Sequence, residues 1–304
     1  MSPRVVATVD LGAIRHNLGQ VRAKAPKARI MAAVKADAYG HGAAKVVPVM
    51  ARAGADCFGV ATLREAVNLR RAGVDAPIVA WIWQTDEILE EALANGIEVA
   101  VNSLEQAHKL VKADFPAEVY VKVETGMHRS GVDEGDWAET FKVLRDAPHI
   151  KVLGLMSHFA CADEPDNPHN DAQEEAFRAA LRLAREIGLE CPVNHLANSP
   201  AVLTRPSSYF EQVRVGVAVG GRVVQFTNLV QIFAAIGGRQ AQAEAVLFPA
   251  QRQVEVLHGL GGRALEQVVQ GRHHHDPLAA RGQGEATDLG TVATGNAADP
   301  RRFI

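Results

Sequence analysis

Apolar and polar positions between residue 30 and about residue 219 fall into one repeating unit. Each unit has an apolar, β-branched run of roughly four to eight residues, a short polar or glycine break, and then an amphipathic stretch of roughly ten or more. The runs are 30–34, 57–61, 78–83, 97–101, 119–123, 152–156, 193–196 and 213–219, which predicts eight strands. Helices are predicted between them. One spans 85–94, with Ile88, Leu89, Ala92 and Leu93 on one face and a stop at Gly96; another spans 172–187, with Phe177, Ala180, Leu181 and Ala184 on one stripe. Ser103 with Gln106 reads as a capping box that opens a third. Near-continuous apolar strands alternating with helices are parallel strands buried on both faces, and eight such units in about 200 residues predict an α/β fold of the closed (β/α)8 TIM-like barrel type. The alternative is an open doubly wound sheet, which normally carries a glycine-rich turn after its first strand. Here that strand runs into Lys35-Ala36-Asp37 instead.

The pattern fades after about Val219. No Lys follows Lys151 and no Tyr follows Tyr209, while Gln, Gly, Arg and His become frequent. The expected organisation is therefore a barrel over 1–220 and an atypical C-terminal segment over 221–304. Within that segment, 223–236 is apolar enough to be ordered and 271–304 reads as loop or disorder. His273, His274 and His275 have no Cys or carboxylate cluster at ligand spacing beside them, so a solvated loop is expected and no metal site.

Composition narrows the function classes. A net charge of -3 over 304 residues offers no basic field for nucleic acid. There is no signal-type leader, and no apolar run approaches the roughly 18 residues of a membrane span, so a cytoplasmic location is expected. Cys57, Cys161 and Cys191 are odd in number and widely spaced, which argues for buried thiols over a disulfide framework.

Chemistry in a parallel barrel sits at the carboxyl ends of strands. Lys35 stands at such an end, in Val34-Lys35-Ala36-Asp37-Ala38-Tyr39-Gly40-His41-Gly42. A partly desolvated amine there has a lowered pKa and becomes a nucleophile, whereas a lone lysine is more commonly one that snorkels to the surface. Further polar groups follow at later strand ends: Thr125-Gly126-Met127-His128-Arg129-Ser130-Gly131, Ser157-His158-Phe159-Ala160, His195-Leu196-Ala197-Asn198-Ser199 and Val213-Arg214-Val215-Gly216-Val217-Ala218.

These motifs, together with Val9-Asp10-Leu11 and His16-Asn17-Leu18, are collinear with those of the alanine racemases, and the segment from Val34 to Gly42 resembles their cofactor-lysine motif. The resemblance implies pyridoxal 5′-phosphate as cofactor, alanine as substrate and a homodimer as the assembly. It implies that Lys35 bonds to the cofactor and acts as the base on one face. Tyr39, Asn198, Ser199 and the backbone N–H groups of Gly216 and Val217 would hold the cofactor, chiefly its phosphate. Arg214 would face the pyridine nitrogen, His158 would join a hydrogen-bond network near the ring, and Arg129 would bind the substrate carboxylate. Lys122 matches a lysine that relatives often carry as a carbamate, and an unmodified lysine stands beside that reading. For Arg129 the alternative is a surface ion pair, for Gly216 a turn glycine, and for His158 and His195 satisfied core histidines.

The resemblance stops short of the C-terminal segment. The second base of the family is a tyrosine of the partner subunit's C-terminal β domain, and this chain has no tyrosine after Tyr209. The proline normally found where Val215 stands is also absent. Impaired racemization is therefore expected, with a cofactor carrier that does not turn over as the alternative. A decarboxylase or lyase on the same barrel is disfavoured by Arg214. A reading-frame change near Val215 or Val219 accounts for such a tail, and sequencing the coding DNA tests it.

Overall fold

Residues 9–220 are described by the structure, a computed structural model. The expectations made for residues 221–304 lie outside the described residues. The chain enters through α1 (Leu11–Lys24), whose first turn is tied down by Asp10: its Oδ1 accepts from the amides of Gly12 at 2.7 Å and Ala13 at 3.1 Å. Strand and helix then alternate: β1 (Arg29–Ala33), α2 (Lys35–Gly40), α3 (Ala43–Arg52), β2 (Cys57–Thr62), α4 (Leu63–Arg71), β3 (Ile78–Ile82), α5 (Glu90–Ala94), β4 (Ile97–Val101), α6 (Leu104–Ala113), β5 (Ala117–Lys122), α7 (Trp137–Arg145), β6 (Ile150–Met156), α8 (His169–Ile187), α9 (Ser199–Thr204), β7 (Gln212–Val215) and α10 (Val217–Gly220).

Every strand pairing is parallel, in the order β6-β5-β4-β3-β2-β1-β7, so β1 to β6 follow one another and β7 returns beside β1, as a barrel requires. One of the eight expected strands, 193–196, is corrected: it is an extended segment with one parallel bridge, Met156 to His195. It still joins the two edges of the sheet. On the β6 side the amides of Val193 and His195 donate to the carbonyls of Leu153 and Leu155 at 2.9 and 3.1 Å; on the β7 side the amides of Gln212 and Arg214 donate to Asn194 and Ala197 at 3.2 and 2.9 Å. The ladder is irregular because a side chain takes one of its places, Asn194 Oδ1 accepting from the Leu155 amide at 2.9 Å. Close approach also requires Gly154, where a Cβ would lie 1.8 Å from the Val193 carbonyl oxygen.

Three other expectations are revised. The last run ends as a strand at Val215, because the amides of Val219 and Gly220 turn back onto the Gly216 carbonyl. The helix expected over 85–94 begins at Glu90, which leaves Ile88 79% exposed while Leu89, Ala92 and Leu93 are buried. Ser103 caps the Gln106 amide, but Gln106 Oε1 returns to the Asn102 amide, so the box is half formed. A reciprocal capping box does open α4, between Thr62 and Glu65.

The larger apolar cluster lies between strands and helices and includes Ile14, Phe58, Phe141, Phe177 and Val213. A smaller one takes one residue from each of six strands: Met31, Cys57, Val79, Ala100, Tyr120 and Met156. Alternate strand residues share a face, so these six fix which face of each strand looks into the barrel.

Candidate active site

The same two-residue period carries the interior face from Met31 through Ala33 to Lys35, from Tyr120 to Lys122, and from Gln212 through Arg214 to Gly216. Lys122 and Arg214 thus face the interior near the carboxyl ends of β5 and β7, and Lys35 follows the carboxyl end of β1. Lys35 opens α2, a turn wound left-handed: Ala36, Asp37, Ala38 and Tyr39 have φ of 52, 54, 55 and 57°. That conformation costs a non-glycine residue about 1–2 kcal/mol. Local bonds offset part of the cost, since the Ala38 amide donates to the Val34 carbonyl at 2.8 Å and the Ala43 amide to Asp37 Oδ1 at 2.7 Å. The Lys35 amine has a lowered pKa because it is partly buried and because Arg129 and Arg214 are near, with Glu65 opposing them.

Tyr39, at the end of that turn, places its hydroxyl over Gly216, where an added Cβ would lie 2.2 Å from Oη. Ser199 Oγ meets the same spot, accepting from the amides of Gly216 at 3.1 Å and Ala218 at 3.3 Å. Val217 sits half-buried between those two residues. Asn198 is the N-cap of α9, its Oδ1 accepting from the Ala201 amide at 3.2 Å, so it sets the position of Ser199. Two hydroxyls and two amides therefore meet at one glycine, whose missing side chain leaves the space that the Tyr39 hydroxyl takes.

Arg214 is buried and held by three contacts. Its guanidinium donates to His195 Nδ1 at 2.7 Å, His158 Nδ1 at 2.8 Å and the Ser157 carbonyl at 2.7 Å, and it lies 5.9 Å from the Trp81 ring centre. Burial and the Arg129 charge lower its pKa to about 10 against the effect of Tyr39, so it stays charged at neutral pH. Both histidines are held well below the usual range, first by burial and then by Arg214. Each accepts through Nδ1, so each is the neutral tautomer with hydrogen on Nε2. His195 is fully buried, packs edge-on against Tyr120 at 4.9 Å, and its Nε2 has no partner among the described residues.

Lys122 is 8% exposed and donates to Ser130 Oγ. Burial, then Arg129 and Arg214, bring its pKa down to about 8, with Glu124 opposing. Arg129 lies exposed on the loop after β5, where Glu124 Oε1 accepts from the amides of Gly126 and Met127 at 2.5 and 2.7 Å. That loop is tied to α8 and to the loop after β6. His169 Nε2 is 2.9 Å from the Gly126 carbonyl, and Gln173 reaches Thr125 Oγ1, the His158 carbonyl and the Ala160 amide at 3.4, 3.1 and 2.9 Å. Reading the sequence missed Gln173, Trp81 and Glu65. Glu65 alone had a signal, the Thr-x-x-Glu pattern at the start of α4.

Among the described residues no group of three His, Cys, Asp or Glu side chains forms a metal site, the cysteines are free thiols, and no helix is long and apolar enough to cross a membrane. Residues 9–222 match the family model for the N-terminal domain of alanine racemase. The chain is 50% identical over 214 residues to the alanine racemase of Corynebacterium glutamicum, covering 70% of this chain and 59% of that one. It is 44% identical over 222 residues to that of Mycobacterium tuberculosis, covering 71% and 58%. The crystal structure of alanine racemase from D-cycloserine-producing Streptomyces lavendulae superposes with a TM-score of 0.75 at 36% identity, covering 84% of this chain and 72% of that one. The chain spans about three fifths of the length of the curated relatives it matches. Its barrel, its lysine turn and these matches agree: the chain belongs to the alanine racemase N-terminal domain family.

Proposed function

We propose that the chain is a pyridoxal 5′-phosphate-dependent racemase acting on alanine. The observation that carries this is the convergence of a depressed-pKa amine, Lys35, and an anion cradle, Tyr39 with Ser199 and Gly216, at one barrel mouth. The residues fit the cofactor: the cradle's hydroxyls and amides suit a phosphate, and a Cβ on Gly216 would crowd it. When bound, the cofactor withdraws electrons from the substrate and makes its α-proton acidic.

In this reading the chain's own groups divide the remaining work. Lys35 anchors the aldehyde and moves the α-proton on one face. Ser199, Tyr39, Gly216 and Val217 hold the phosphate, with Asn198 positioning Ser199. Arg214 offers a fixed positive charge to the pyridine nitrogen, which keeps that nitrogen unprotonated and favours reprotonation over transamination. A carboxylate there would serve a decarboxylase, so Arg214 sets that reading aside. His158 holds the Arg214 guanidinium in place, and Arg129 takes the substrate carboxylate through its fork of donors. Lys122 is the candidate carbamate. A pKa near 8 leaves it a neutral fraction that carbon dioxide requires, and the resulting negative charge would face Arg129.

The assembly that goes with this reading is a cytoplasmic homodimer. The second face needs another proton carrier, and the absence of tyrosine after Tyr209 favours slow turnover or cofactor binding without turnover. Purified full-length protein mixed with the cofactor and L-alanine tests this. Yellow colour with D-alanine formation supports the racemase, colour alone supports the carrier, and a colourless protein rejects both.

A further inference from the structure

We propose that Glu65 is the positioning residue of Lys35: its carboxylate holds the first amide of the left-handed turn and so fixes where the amine stands. This rests on reading Lys35 as the cofactor lysine. Glu65 is the third residue of α4, and a capping box asks only that it reach the amide of Thr62. It does more. Oε2 accepts from Thr62 at 3.2 Å and also from Ala61 at 2.7 Å, while Oε1 crosses to the amide of Ala36 at 2.9 Å. One carboxylate therefore takes three backbone donors from the ends of β1 and β2.

The crossing bond falls at the residue after Lys35, where φ first turns positive. The same carboxylate is the anion that opposes Arg129 and Arg214 at the Lys35 amine. An amide in its place keeps the shape but has one acceptor oxygen, so its NH2 must face at least one backbone N–H. Glu65→Gln thus breaks the three-donor clamp on at least one side with almost no change in volume.

The test uses full-length protein in three forms: wild type, Glu65→Gln, and Thr62→Ala, which removes the hydroxyl that caps the Glu65 amide but leaves the carboxylate. Amide hydrogen exchange at Ala36 reads the clamp. Trace acetylation across pH, scored at Lys35 against the exposed Lys45, reads the amine without any cofactor. In Glu65→Gln, Ala36 exchange rises about tenfold or more and the Lys35 midpoint moves down by roughly half a pH unit. Thr62→Ala leaves both readouts at their wild-type values.

Unchanged readouts in Glu65→Gln overturn the proposal, as do equal changes in both variants. If Glu65→Gln fails to fold, Glu65→Asp keeps the charge and is too short to span Ala36 and Ala61; it must speed Ala36 exchange, or the proposal falls. Borohydride trapping of pyridoxal 5′-phosphate on wild-type Lys35 is scored separately. Its absence ends the cofactor reading, and the exchange and acetylation results then decide the role of Glu65 by themselves.

Discussion

Two layers of the barrel interior lie one step apart along the same strands and do opposite work. In one, Met31, Cys57, Val79, Ala100, Tyr120 and Met156 pack against each other with little polar content. Two residues further along β5, toward its carboxyl end, stands Lys122, while β7 sets Arg214 beside Met31 and Lys35 lies beyond Ala33. Two residues back from Ala100 stands Glu98, whose carboxyl is pushed up to about 7 by burial and by Glu118. An apolar layer thus separates a buried acid from the cluster of cations. The depressed pKa values of Lys35 and Lys122 come first from burial and then from Arg129 and Arg214, with Glu65 and Glu124 opposing.

The cationic layer is most open to challenge at Lys35. Lys35→Ala should abolish covalent trapping of pyridoxal 5′-phosphate, and persistence of the trapped product in the variant would remove the site from the mouth. Next in size is Arg214→Met, which leaves His195 Nδ1, His158 Nδ1 and the Ser157 carbonyl without their donor. A loss of about 2–4 kcal/mol in urea unfolding is expected. A loss under about 1 kcal/mol would show that the polar layer is cushioned by water.

Glu98 probes the contrast from the other side. Its folded pKa is raised above the ordinary value of 4.5, so the folded state holds the proton more tightly than the unfolded chain. The resulting penalty is absent below pH 4.5 and complete above pH 7. Glu98→Gln should therefore stabilise the protein by roughly 3 kcal/mol at about pH 8 and by nothing at about pH 4. Equal stabilisation at both pH values would mean that the acid is not the cause. The mildest change is expected at Gly216→Ala, where the new methyl pushes Tyr39 aside. Cofactor affinity should fall about tenfold, or about 1.4 kcal/mol, with stability little changed, as equilibrium titration would show.

Much of the ring was legible because its strands are buried on both faces and leave continuous apolar runs. Lys35, Arg129 and Arg214 were legible as unusual polar residues at the ends of those runs. The irregular form of 193–196 was not. Asn194 reads as an ordinary polar break, and only the fold shows its side chain standing in for a ladder carbonyl. The helix over 85–94 was overextended because Ile88 matches the helical period yet faces solvent. The left-handed turn was invisible, since Ala36, Asp37 and Ala38 favour right-handed backbone, and a bond to a distant group, Glu65, joins the local ones that hold them otherwise. Gln173 has the same character: a plain helical glutamine in sequence, a three-way tie between loops in space.

A hoop with six sound joints and one patched joint parts at the patch. The stretch from Val193 to Ala197 is that patch, and it leads straight into Asn198 and Ser199. Gentle heating will therefore loosen Asn198 and Ser199 before the seven-stave hoop gives way.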